Sequence, residues 1–273
     1  MEKQTLKILF LGDIVGKPGR FAVRDFLAKN KQNYDFVIAN GENASHGFGL
    51  TKKNYNNLID FGIDCVTSGN HIWDKKEIFE YIEDAEKLIR PLNYPAGTQG
   101  KGYKIFELEN DLRIGVISVL GNVFMSYTNS PWFMIENTIK EIKKETPIVI
   151  IDFHAEATAE KVCFGKFCSE FGISAFFGTH THVQTADEKI FNNMAYITDA
   201  GYCGAVGGVI GMEYQASLHR FLTHLPERFE VLDTAEVQIN GAEVEIDKLT
   251  GYAVNIKRVF CNINIKENKE NES

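Results

Sequence analysis

Five apolar runs in this chain stop at a polar side chain, and that repetition constrains the fold more than any other feature. Residues 6–11 run into Gly12-Asp13, residues 34–40 into Gly41-Glu42-Asn43, and residues 64–68 into Gly69-Asn70-His71. Residues 148–153, the most apolar run, deliver His154, and a run beginning at Ser174 reaches Gly178-Thr179-His180-Thr181-His182. Short apolar runs separated by helical patterns read as buried parallel strands. In parallel α/β sheets ligands collect at the carboxyl ends of the strands, so these polar residues are expected to converge although they are far apart in sequence. A domain boundary between residues 13 and 182 would split the cluster. One domain over residues 1–265 is therefore expected, with the polar residues 266–273 as a disordered tail.

Between the runs, helices are expected over residues 19–29, 51–61, 75–82, 132–145 and 157–171. Thr51 is the N-cap candidate of the second and Gly62 its stop, Pro147 ends the fourth, and Gly172 the fifth. Residues 104–108 and 113–120 read as a hairpin turning at Glu109-Asn110-Asp111. Beyond His182 the pattern becomes mostly antiparallel, with strands over 194–198, 229–240, 242–247 and 253–265 and a hairpin turn at Asn240-Gly241.

With 273 residues, 44% hydrophobic and 24% charged, the chain has ample material for a core. A formal net charge of −8 argues against stable nucleic-acid binding, which needs clustered Lys and Arg. It favours a bound cation as the means of holding an anionic substrate. Residues 6–11 are too few for a signal sequence core or a membrane span. The five cysteines show no Cys-x-x-Cys spacing and read as reduced thiols of a cytoplasmic protein, with Cys163 and Cys168, the nearest pair, read as structurally buried.

The strand-end residues define a chemistry. On an extended backbone His180 and His182 would face one side, their Cα atoms roughly 6.5 Å apart. Asp13, Glu42, Asn43, Asn70, His154, His180 and His182 form an oxygen and nitrogen donor set without thiolate. That set suits manganese, iron or zinc better than calcium or an iron–sulfur centre, and seven donors exceed the four of a closed zinc site. Two metals with a carboxylate such as Glu42 between them account for the excess. A water bridging two such cations becomes a hydroxide nucleophile at neutral pH, and hydrolysis follows.

The ordered motifs Gly12-Asp13, Gly41-Glu42-Asn43, Gly69-Asn70-His71, His154 and Gly178-Thr179-His180-Thr181-His182 resemble those of calcineurin-like metallophosphoesterases. More narrowly, residues 12–19 (GDIVGKPG), 39–44 (ANGENA), 69–74 (GNHIWD), 198–201 (TDAG) and 209–213 (VIGME) are similar to the YmdB-like bacterial phosphodiesterases. The resemblance covers roughly residues 6–260. It implies a four-layer α/β/β/α sandwich with a dinuclear centre at the strand ends. Asp13, Asn43 and His182 would hold the first metal, Asn70, His154 and His180 the second, and Glu42 would bridge them. His71 would stabilise the phosphoryl oxygens or protonate the leaving group. Iron or manganese is favoured and zinc is compatible. Val15 and Glu42 depart from the wider superfamily, which has histidine and aspartate there, but both match the narrower branch. His46 departs from the branch, where Gly-Gly is more familiar, and reads as a solvated loop histidine or a substrate contact.

The implied substrate is a small phosphodiester, a 2′,3′-cyclic nucleotide first among them. A monoester is close to a dianion at neutral pH and is often clamped by arginine, and no arginine stands immediately beside Glu42, Asn70 or His180. Arg20, Arg90 and Arg220 are not placed by this argument. Alternatives are a phosphomonoesterase on the same fold and a nonenzymatic metal-binding regulator. A metal-dependent amidohydrolase is disfavoured, because its barrel would bring the His-x-His pair at the first strand. Trp73 and Trp132 read as core, His219 and His224 as structural, and residues 201–211 as a substrate-lining loop without the Gly-Lys-Ser/Thr of a P-loop. Asp74 could orient His71 or cap the following helix, and capping is the preferred reading. A homo-oligomer is compatible with this reading.

Overall fold

A computed structural model describes residues 4–265; the expected tail at 266–273 lies outside the described residues. In chain order the strands and helices are β1 (Thr5–Leu11), β2 (Asp13–Ile14), α1 (Gly16–Asn30), β3 (Phe36–Asn40), α2 (Lys52–Asp60), β4 (Cys65–Thr67), α3 (Ile78–Tyr81), β5 (Tyr103–Glu107) and β6 (Arg113–Leu120). They continue as α4 (Ile135–Ile142), β7 (Val149–His154), α5 (Thr158–Ser169), β8 (Ala175–Thr179), β9 (Lys189–Phe191), β10 (Met194–Ile197), β11 (Tyr202–Ala205), α6 (Tyr214–Thr223), β12 (Glu236–Asp247) and β13 (Ala253–Asn264).

One sheet runs β2-β11-β12-β1-β3-β4, with β13 on the other side of β12; the second runs β5-β6-β7-β8-β10-β9. Within them β1, β3 and β4 are parallel, as are β6, β7, β8 and β10. Alternation along β1 decides the layering. Leu6, Ile8 and Phe10 join Val116, Ile150 and Phe177 between the sheets, where the Phe10 and Phe177 rings stack with centroids 4.3 Å apart. Leu9 and Leu11 face the other way, onto Ala22, Val23 and Leu27 of α1 and Leu58 of α2. On the far side of the second sheet, Ile139 and Ile142 of α4 and Phe164 and Cys168 of α5 cover Ile117, Ile151 and Phe176. The result is the expected four-layer α/β/β/α sandwich, in which both sheets are apolar on both faces.

Several local signals hold. Thr51 caps α2 by accepting from the Asn54 N–H at 3.3 Å, and Gly62 ends the segment at φ 101°. The β5–β6 hairpin turns where expected. Several expectations fail. The helix expected over 75–82 contracts to α3, the one over 132–145 to a 3₁₀ turn (Pro131–Phe133) followed by α4, and the strand expected from residue 229 begins only at Glu236.

Asn240-Gly241 is not a turn. β12 passes straight through it, pairing Leu11 with Gly241 on one side and Val259 with Gly241 on the other. The glycine serves close approach instead, because a Cβ there would meet the Phe10 carbonyl oxygen at 2.1 Å. The reversal falls later, where Asp247 Oδ1 accepts from the backbone N–H groups of Leu249 and Thr250. All five cysteines are free; Cys168 is buried as expected, but Cys163 is exposed, and Cys261 is only partly buried.

Candidate metal centre

The carboxyl ends of β1, β3 and β4 in one sheet and of β7 and β8 in the other meet at one end of the sandwich. All eight predicted site residues come from these ends. Asp13, Glu42, Asn43, His154 and His182 are buried; Asn70, His71 and His180 are partly exposed.

At the centre the Nε2 of His154 lies 2.9 Å from Glu42 Oε1 and 3.0 Å from His180 Nδ1. Donor atoms of Glu42, His154 and His180 all fall within 4.8 Å of one another. Asp13 Oδ1 stands 3.7 Å from His154 Nδ1 and 4.0 Å from His182 Nε2, while Asp13 Oδ2 accepts the His180 backbone N–H at 3.1 Å. Asn43 donates its amide to the Gly47 carbonyl at 2.8 Å. Gly69 is required by the crowding, since a Cβ there would meet His154 Cδ2 at 2.3 Å and Glu42 Oε2 at 2.4 Å.

Three oxygens test whether this set fits a cation. Asp13 Oδ1, Asn43 Oδ1 and Asn70 Oδ1 are buried and have no hydrogen-bond partner. A buried acceptor left unmatched costs about 1–3 kcal/mol, more when charged, so three predicted ligand oxygens in that condition fit a site built to face cations. The buried carboxylates also make the site favourable to positive charge. Burial pushes the Glu42 carboxyl up, but the charge and hydrogen bond of His154, helped by His71, outweigh it and hold Glu42 ionised. Burial disfavours the charged form of His154, yet Glu42, Asp13 and Asp152 raise its pKa instead. His180 goes the other way. Burial and the neighbouring His154 charge lower it to about 3, leaving a neutral imidazole able to ligate.

His180 and His182 do not converge by strand alternation. β8 ends at Thr179, and the two histidines take left-handed backbone conformations, φ 94° and φ 65°. Such angles are costly for a residue with a Cβ and need fixing from outside. Asp13 supplies one tie at the His180 N–H. Asp199 supplies another, accepting the Thr181 N–H at 3.2 Å and the Thr181 hydroxyl at 2.5 Å. Asp199 is in turn paired with Lys161 at 2.6 Å, both almost wholly buried.

Sequence reasoning gave Asp199 and Lys161 no role, and it overlooked Asp152. That carboxylate, in the middle of β7, accepts from Thr67, Thr179 and Asn40, and Thr179 Oγ1 lies 2.9 Å from His154 Nδ1. Burial drives Asp152 up to about 6 against His154 and the two threonine hydrogen bonds. A lone acid inside the apolar Ile150-Ile151-Asp152-Phe153 was the available signal. Glu156, 3.1 Å from His180 Nε2, gave none.

The remaining residues also resolve. Asp74 is not the cap of α3, whose N-terminus has no side-chain cap; its Oδ2 lies 2.8 Å from His71 Nδ1. Trp73 stacks on Phe79 and Trp132 packs on Phe164, both partly buried. His219 pairs with Glu227 on the surface, and His224 ends α6 at φ 58°. The loop at 201–211 reaches the centre through Ile210, whose carbonyl lies 3.0 Å from His182 Nδ1.

The family model for YmdB-like proteins matches residues 9–259. The chain belongs to the YmdB-like family. It is 45% identical to a Bacillus subtilis protein named 2′,3′-cyclic-nucleotide 2′-phosphodiesterase, over 94% of this chain and 97% of that one. Two solved structures superpose with a TM-score of 0.88 at 35% identity. One, from Thermus thermophilus, is described as a hypothetical protein and is matched over 94% of this chain and 99% of its own. The other, from Mycoplasma pneumoniae, is described as a novel phosphatase and is matched over 95% and 94%. This member of the YmdB-like family is an enzyme with a metallophosphoesterase-type fold.

Proposed function

We propose that the chain is a dinuclear metal-dependent phosphodiesterase acting on small phosphodiesters, 2′,3′-cyclic nucleotides above all. The observation that carries this reading is the set of partnerless buried oxygens on Asp13, Asn43 and Asn70, gathered around the Glu42–His154–His180 cluster. The Bacillus subtilis relative's name supports the substrate class. Asp13, Asn43 and His182 would hold one ion, Asn70, His154 and His180 the other, with Glu42 shared. Iron or manganese suits these donors best and zinc is accepted. When bound, two such cations supply a water acidified to a nucleophile at neutral pH and positive charge for the phosphoryl oxygens.

The chain's own residues do the rest. Asp74 accepts the Nδ1 proton of His71 and so leaves Nε2 as the atom that meets the substrate. The His71 N–H bond to Glu42 at 3.0 Å fixes that ring beside the cluster. From there a protonated Nε2 can give its proton to the leaving oxygen, and a neutral one can accept it back on the next cycle. Asp152, through Thr179, holds His154 in one orientation, as outer carboxylates do for metal-binding imidazoles.

A diester fits the cation supply. Arg90 spends its guanidinium on the carbonyls of Pro91, Leu92, Thr98 and Gln99, and Arg220 lies over Phe229 on the exposed side of α6. Neither serves as a clamp for a dianionic monoester at the cluster, and the third, Arg20, is bonded to the Ala44 carbonyl and lines the neighbouring cavity. We place the activity in one domain over residues 1–265 of a cytoplasmic protein. Its partner is the small substrate, with no stable nucleic-acid complex; no helix among the described residues is long and apolar enough to cross a membrane. The test compares kcat/KM for a bis-aryl phosphate, an aryl phosphate and 2′,3′-cyclic AMP at identical metal loading. The two diesters should be preferred. A clear preference for the aryl monoester rejects the diesterase assignment.

A further inference from the structure

Beside the metal centre lies a cavity of about 420 Å³ whose lining includes Lys17, Arg20, His46 and Arg228. Two of its lining segments lead directly from residues of the centre. Lys17 and Arg20 follow Asp13 at the start of α1, and the Gly16 N–H donates to the Asn43 carbonyl at 2.9 Å. His46 lies three residues beyond Asn43, so their Cα atoms are within about 11 Å of each other. The two segments are clamped together by Val231, whose methyl groups press on the Cα positions of both Gly16 and Gly47.

The charges in this cavity are poorly matched within the protein. Arg20 is largely buried, its guanidinium is bonded to the Ala44 carbonyl, and among the described residues it forms no ion pair. Burial lowers its pKa to about 10, so it keeps its charge at neutral pH. Lys17 stands in the first turn of α1, which has no acidic residue and no side-chain cap. A cation at the positive end of a helix costs stability that an anion bound there would offset. Glu230 and Asp233 also line the cavity, so three fixed positive charges face two negative ones. Both carboxylates are exposed and screened, whereas Arg20 is not. His46 adds an imidazole on a left-handed backbone, φ 59°, that favours glycine.

The geometry points to this cavity as a subsite for a second phosphate, one nucleotide removed from the diester that is cleaved. The preferred substrate is then a 2′,3′-cyclic phosphate that carries a phosphate on its 5′ side. A 5′-phosphorylated mononucleotide and a short oligonucleotide ending in a cyclic phosphate both present that chemistry. The inference rests on the diesterase reading for its substrate, but the binding it predicts does not require turnover.

The experiment uses the metal-loaded full chain and the Lys17→Gln/Arg228→Gln variant, both positions being exposed. Hydrolysis is compared for 2′,3′-cyclic AMP, its 5′-phosphorylated form, and a dinucleotide ending in a 2′,3′-cyclic phosphate. Adenosine 5′-monophosphate is titrated calorimetrically in parallel. In the unmodified chain at least one substrate with the extra phosphate should show kcat/KM about tenfold above 2′,3′-cyclic AMP, and the ratio should fall toward one in the variant. Gain for the mononucleotide alone assigns the subsite to a terminal phosphate; equal gain for the dinucleotide assigns it to a backbone phosphate. Affinity for adenosine 5′-monophosphate should drop about tenfold in the variant. Equal affinity in both proteins, or a preference that survives the two substitutions, overturns the proposal. Failure to cleave any diester would instead reject the diesterase reading and leave the titration to decide the subsite.

Discussion

His71 and Asp74 face each other across a single turn, Nδ1 to Oδ2 at 2.8 Å, while the His71 backbone N–H is tied to Glu42. The ring is thereby aimed from outside the cluster without being one of its donors. His71→Ala should cut kcat by roughly 10²–10⁴-fold with metal content unchanged. Asp74→Asn should cost less, about tenfold, because it removes only the group that orients the ring. Steady-state kinetics with metal analysis of the same preparations checks both. Loss of metal from His71→Ala would make it a ligand.

Glu42→Gln addresses the other side of that relationship. The carboxylate is buried, paired with His154 and bonded to the His71 N–H, so the amide removes a negative charge where the donor set needs one. Metal content and rate should fall together. An active variant with full metal would remove Glu42 from the shared position.

Gly69→Ala tests how tightly the cluster is built. The added methyl would meet His154 and Glu42 at 2.3–2.4 Å, closer than any side chain tolerates. Both neighbours are fixed by further bonds, so the cluster must deform. The expected result is a folded chain, by far-ultraviolet circular dichroism, that has lost most of its metal and activity. Unimpaired metal binding would contradict the placement of these side chains.

Lys161→Met leaves Asp199 buried and unpaired behind the His180–His182 loop. Breaking such a pair costs about 3–5 kcal/mol, which urea denaturation of the variant should read directly. Because Asp199 also holds the Thr181 N–H, activity should fall with stability. A variant as stable as the parent would mean the pair does not support the loop.

Much of the centre was legible because each donor sits where an apolar run ends, and runs of that kind are read from local pattern alone. Asp13, Glu42, Asn70, His154 and His180 all follow that rule. What escaped depends on contacts distant in sequence. The left-handed His180 is held by Asp13, from the other sheet, and Thr181 by Asp199, so no local signal marks the loop. Asn240-Gly241 carries the composition of a turn, yet pairing with β1 and β13 on both sides overrides it. Asp74 fitted a helix cap by position, but α3 starts too late for it to act as one.

Elemental analysis of protein purified without chelator, set beside its rate on 2′,3′-cyclic AMP, tests the central claim most directly. The account predicts about two transition-metal ions per chain, with the rate lost on chelation and regained on reloading. Full activity in protein free of transition metal would contradict it.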